Sequence, residues 1–156
     1  MAYHDDLLGQ ALSLVHSPPE TQASLRRAVS SAYYAVFHLL IAEATSNWNN
    51  ALLRAALGRA FDHGPMKQAS SRVANPQKSP YTGEDLQVVD GLRFVALTFA
   101  QLQEDRHFAD YNLTKDITAI DALAQVKSAE KVFQVWPSIR ASQIAQEYLV
   151  SLVVKR

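Results

Sequence analysis

Arg106 and Asp110 stand four residues apart in EDRHFADYNL (104–113). At that spacing a guanidinium and a carboxylate meet across one helical turn and can pair through two parallel hydrogen bonds. A planar, permanently charged fork held by a carboxylate suits the grip of a phosphate. Arg106 also stands where an apolar residue is due. Val88, Leu92, Val95, Phe99 and Leu102 alternate spacings of 4 and 3, and the next position in that series is Arg106. Two readings follow. Either the helix leaves the core near its end and the pair lies on the surface, or the guanidinium is held at a cleft or an interface.

A second polar set lies inside an otherwise apolar helix. Counted at 100° per residue from Arg27, Ser31 falls at about 40°, Tyr34 at about 340° and His38 at about 20°. Arg27, Ser31, Tyr34 and His38 therefore form one stripe. It is either a hydrogen-bonded core network with His38 neutral or the ligand-facing wall of a cleft. His63 precedes Gly64-Pro65. One reading makes Gly64 an ordinary helix C-cap, with His63 favoured by the dipole there. The other turns His63 into a cleft, where it assists Arg106.

Several chemistries lack their residues. There is no cysteine, so disulfides, thiolate zinc sites, iron–sulfur clusters and thiol nucleophiles are excluded. No His-Glu-x-x-His or similar spacing appears, and no metal is expected. Gly9, Gly58, Gly64, Gly83 and Gly91 are scattered singly, so there is no phosphate-cradling glycine loop and no cofactor is expected. No Gly-x-Ser-x-Gly elbow is present.

The elements that must carry these residues are helical. Apolar spacing predicts helices over 4–16, 20–46, about 51–61 and 66–74. A loop follows at 75–83 (NPQKSPYTG), then helices over 84–111, 116–135 and 138–154. Pro18-Pro19 should end the first helix, and Pro137 should occupy the first turn of the last. The 28–42 stretch is apolar nearly all round and should be the most buried. The whole chain's length of 156 residues fits a single domain over 1–156, and 48% hydrophobic against 19% charged residues argues against wholesale disorder. The expected fold is all-α, an up-and-down bundle of about five or six helices.

No leader-like or membrane-spanning apolar run is seen, so the chain reads as soluble and cytoplasmic. The formal net charge is zero, which argues against coating nucleic acid by bulk charge alone. The zero hides an asymmetry. Residues 51–80 carry Arg54, Arg59, Lys67, Arg72 and Lys78 against Asp62, a net +4, whereas residues 84–121 carry a net −5. Either these are solvated helix faces that complement one another, or the basic segment meets RNA or an acidic partner.

Three segments together resemble the HEPN superfamily of small helical domains. LRRAVSSAYYAVFHLLIAEA (25–44) is similar to its Ser-x-Ala-Tyr-Tyr-Ala-x-Phe-His helix, DHGPM (62–66) to its His-Gly segment, and EDRHFADYNL (104–113) to its Arg-x-x-Ala-Asp-Tyr helix end. They occur in the family's order and span roughly residues 7–135. The resemblance implies a helical bundle that dimerises with its long helices, here 84–111, near the two-fold. It implies RNA or nucleotide biology, with many relatives metal-independent ribonucleases and toxins. A small nucleotidyltransferase acting as antitoxin is a frequent partner. In the family motif an Arg holds the scissile phosphate and a His four to six residues later moves the proton. Here the positions for that His hold Tyr111, Asn112 and Leu113. The resemblance therefore carries over Arg106, Asp110 and Tyr111, and it favours a binding module over an active ribonuclease. A helical dimerisation module without ligand is the third reading.

Overall fold

A computed structural model describes residues 2–18 and 20–154. Among them are seven helices and no strand: α1 Tyr3–His16, α2 Gln22–Ser46, α3 Ala51–Gly58, α4 His63–Ala74, α5 Leu86–Tyr111, α6 Ala119–Ile139 and α7 Gln143–Ser151. The all-α expectation holds; the short helical piece expected at 66–74 is a full helix, α4, and brings the count to seven, one beyond the bundle of about five or six. The expected stop at Pro18-Pro19 falls partly outside the described residues, since Pro19 is not among them; α1 ends at His16.

Side-chain caps fix several starts. Thr21 accepts from the Ser24 amide at 3.1 Å while Ser24 accepts from the Thr21 amide at 3.0 Å, a reciprocal box that opens α2. Asn50, Asp85, Thr118 and Ser142 accept from amides in the first turns of α3, α5, α6 and α7. α2 is the centre of the fold and packs on α1, α5 and α6. Val29, Tyr33, Val36 and Leu40 from α2 meet a core completed by Val95 and Phe99 of α5 and Val126 and Trp136 of α6, all fully buried. Its continuous apolar girth is what allows contact on so many sides.

Three boundaries differ from the sequence reading. Pro137 lies inside α6 rather than opening the last helix. It is exposed, so water can serve the carbonyl that its ring leaves without a donor. The true start of α7 is set by the Ser142 hydroxyl. Gly64 does not close a helix either: α4 begins at His63, and Pro65 sits in its first turn, where a missing N–H costs nothing. His63 is thus at a helix N-terminus, not a C-terminus. Finally, α3 closes at Gly58, short of the expected 61. In the last segment Ile144, Leu149 and Leu152 are buried, whereas Val150 and Val154 are exposed.

No helix among the described residues is long and apolar enough to cross a membrane.

Candidate functional site

Arg106 takes the place in the core that the 4-3 rhythm of α5 assigns it. It is 8% exposed and continues the buried row of Leu92, Val95, Phe99 and Leu102. Its guanidinium lies over two α2 rings, 5.1 Å from the centre of Tyr33 and 5.7 Å from that of Tyr34. Both distances are within cation–π range, and the shared burial strengthens the attraction.

Its pairing with Asp110 is looser than the sequence suggests. The only approach between the two is Nη1 to Oδ2 at 3.8 Å, beyond hydrogen-bond length, so the expected bidentate pair is not formed. The Asp110 carboxylate also accepts a long hydrogen bond, 3.4 Å, from the Ser30 hydroxyl of α2. The Arg106 Nε is buried and has no hydrogen-bond partner. A largely buried cation is therefore under-neutralised, an unfavourable state for a guanidinium with five donors.

Tyr33 joins this cation to α4. Its hydroxyl lies 2.5 Å from His63 Nδ1. Burial pushes the Tyr33 hydroxyl well above the usual phenol range, with the Arg106 charge opposing, so it keeps its proton and can donate it to an unprotonated Nδ1. The His63 ring stacks on Phe37 at 4.5 Å. Its pKa is lowered from the ordinary imidazole value, first by burial and then by the Arg106 charge, with Asp62 pulling the other way. Its place in the first turn of α4 acts in the same direction as the burial. The result is a neutral imidazole, a neutral phenol and a guanidinium in one connected group.

The rest of the expected α2 stripe does not converge. Arg27 is exposed. Ser31 is buried against α1 and donates to Gln10 Oε1 at 2.9 Å. His38 stacks on Tyr3 of α1 at 5.0 Å, and burial, followed by the charges of His4 and His63, lowers its pKa. Only Tyr34 of the four stands over Arg106. Helix phase alone could not separate them, because α1 and α5 cover adjoining faces of one narrow arc. Tyr111 is likewise not at the site. It is 67% exposed and packs its ring 5.0 Å from that of His107.

Two residues that organise the site went unread. Tyr33 falls in the apolar arc of α2, and its signal was chemical rather than positional: a buried phenol must find a partner for its hydroxyl. Arg26 holds the end of α5. Its guanidinium donates to the carbonyls of Ala109 at 2.9 Å, Asn112 at 2.7 Å and Lys115 at 2.7 Å. Ala109 lies in the last turn of α5, whose carbonyls an ending helix leaves without partners, Asn112 is its C-cap, and Lys115 lies in the loop beyond.

Comparison with family models, with curated proteins and with solved structures finds no match for this chain. The chemistry must therefore be argued from the residues themselves. Among the described residues no group of three His, Asp or Glu side chains is placed to hold a metal ion. The Arg106 cation is held in place and incompletely satisfied, with Asp110 the one carboxylate within 4.0 Å of it among the described residues and Asp62 close enough to act on His63.

Proposed function

We propose that this chain is a HEPN-type helical domain that binds a phosphate-bearing ligand, RNA or a nucleotide, through Arg106. The observation that supports this reading is a guanidinium held in place over two aromatic rings whose nearest carboxylate stands 3.8 Å away, out of hydrogen-bond range. A phosphate oxygen would supply the hydrogen bonds that Asp110 does not. The reading includes a homodimer with α5 near the two-fold, supported by Leu86 and Leu97 exposed on that helix. It also includes a nucleotidyltransferase-type protein as the partner class.

A second reading, a metal-independent ribonuclease of toxin type, draws on the nearness of His63 to Arg106 through Tyr33. The motif histidine is absent downstream of Arg106, and a neutral His63 whose Nδ1 accepts from Tyr33 can take up the proton that cleavage releases by relay through the Tyr33 hydroxyl.

Fluorescence anisotropy with a labelled single-stranded RNA tests both, with gel analysis of the same RNA in the presence of a chelator. Arg106→Lys keeps the charge and loses the fork. Weaker RNA binding by at least about tenfold at unchanged folding supports the phosphate reading. Chelator-resistant cleavage that His63→Ala removes supports the ribonuclease. Unchanged RNA affinity together with a lowered melting temperature would leave Arg106 as a structural group and the chain as a helical dimerisation module.

A further inference from the structure

A second site lies away from the Arg106 group, in the groove between α4 and α7 roofed by the chain at 75–80. It encloses about 530 Å³, within the ~300–1,000 Å³ of pockets that hold small organic ligands. Its wall is aliphatic, with Val73 on α4 and Val150 and Val154 on the α7 side. Two cations stand at its edge, Arg72 in the last turn of α4 and Lys78 in the roof.

The other polar groups of the lining are already engaged. Gln146 donates to the Arg140 carbonyl at 2.7 Å and accepts from Asn47 at 2.8 Å. Glu147, the one acid there, accepts from Gln143 at 3.2 Å. Among the described residues, neither Arg72 nor Lys78 has a carboxylate within 4.0 Å. Among the described residues the groove is therefore apolar along its wall and carries two cations, neither in an ion pair, against the single carboxylate of Glu147.

The roof is built in place rather than loosely draped. The Asn75 carbonyl accepts from the amides of Lys78 at 3.1 Å and Ser79 at 3.0 Å. Arg93 of α5 donates to the Ser79 carbonyl at 2.8 Å and lies 5.7 Å from the centre of the Tyr81 ring. Tyr81 itself is held at φ 45°, a left-handed conformation that a tyrosine adopts only where its surroundings impose it. A pre-set wall lowers the ordering cost of any ligand that fits it.

We infer that this groove binds an amphiphilic anion, an aliphatic body lying on Val73, Val150 and Val154 with a carboxylate or phosphate head at Arg72 and Lys78. The lining contains no aromatic ring, so a nucleobase would find nothing to stack on. An aliphatic body loses nothing by that absence. This inference is independent of the Arg106 reading.

The test is a titration followed by amide NMR shifts, with decanoate and decyl phosphate as probes, and decanol, inorganic phosphate and adenosine 5′-monophosphate as controls. Saturable binding of an anionic decyl probe is expected, with shifts confined to 69–79 and 143–154. Decanol and inorganic phosphate should each bind at least about tenfold more weakly. The preferred head group, carboxylate or phosphate, identifies the ligand class. Arg72→Gln with Lys78→Gln should weaken the decyl anion about tenfold or more without moving the melting temperature, since both residues lie at the surface edge. Val150→Glu, a change at an exposed position, should do the same from the apolar side. Equal affinity for decanol, unchanged affinity in the double variant, tighter binding of the nucleotide, or no saturation below ~1 mM would each overturn the inference.

Discussion

Tyr33 serves Arg106 and His63 at once: its ring lies 5.1 Å from the guanidinium carbon, and its hydroxyl lies 2.5 Å from the imidazole Nδ1. One fully buried side chain on α2 thereby fixes a residue from α5 and a residue from α4. Its removal tests how far they depend on it. Tyr33→Phe keeps the ring beneath Arg106 and leaves Nδ1 without its partner. The expected loss is about 1–2 kcal/mol, read by urea denaturation. Tyr111→Phe, at an exposed position away from this group, should stay within about 0.5 kcal/mol of the parent.

Arg106→Ala removes a buried side chain that lies over two aromatic rings and should cost about 2–4 kcal/mol. In a chain of this size each kcal/mol lowers the melting temperature by roughly 2–4 °C. Asp110→Ala should cost under ~1 kcal/mol, because the carboxylate is partly exposed and 3.8 Å from its cation. Equal losses from the two variants would mean that the ion pair, not the ring stacking, holds Arg106. Calorimetry of both proteins decides.

Acid should destabilise the fold through His63 and His38. Both have folded-state pKa values below the ordinary 6.5, so below that pH the unfolded chain binds protons that the folded chain refuses. Stability is then fully present above about pH 7, falls as pH drops through 6.5, and levels off once the folded-state values are passed. Urea midpoints measured from pH 7.5 to 5 should show this slope. His63→Gln should flatten part of it, and a slope unchanged by that substitution would remove His63 from the account.

Two glycines give opposite signs. A Cβ on Gly91 of α5 would meet Ile139 Cγ2 at 3.1 Å and Val135 Cγ1 at 3.2 Å, both from α6. Gly91→Leu should therefore force the helices apart and cost about 1–3 kcal/mol. A Cβ on Gly9 of α1 meets nothing within 4 Å, and Gly9→Ala should stabilise by roughly 0.5–1 kcal/mol through helix propensity. Thermal melts of the two variants should move in opposite directions.

The inward place of Arg106 was legible because a 4-3 rhythm needs only the spacing of apolar residues, and the rhythm does not stop at a charged one. The apolar surround of 28–42 likewise announced α2 as the central helix. The α2 stripe was not legible as a site. Spacing tells which residues share a face, but not which neighbouring helix covers each end of it, and Ser31 and His38 went to α1 while Tyr34 went to α5. Gly64-Pro65 was misread because both residues are as compatible with the first turn of a helix as with the stop of the preceding one. The deciding features, Asp62 at the N-cap position and the extended chain there, follow from tertiary packing. Pro137 was misread for a similar reason: an exposed proline late in a helix removes one bond at a position where water can replace it.

Arg26 ties the carbonyls of 109–115 to α2 across more than eighty intervening residues. The end of α5 is therefore specified by a non-local contact and cannot be fixed until α2 has already met it. Contacts such as those between α1 and α2 lie close along the chain and carry little loop-closure entropy, whereas this one must close a long loop. The order of folding is written into that difference: the α1–α2 hairpin is the element able to form first, and the closing of the Arg106 group comes late. In a chain emerging from the ribosome, α2 would wait with Tyr33 and its neighbours uncovered until residue 115 has followed.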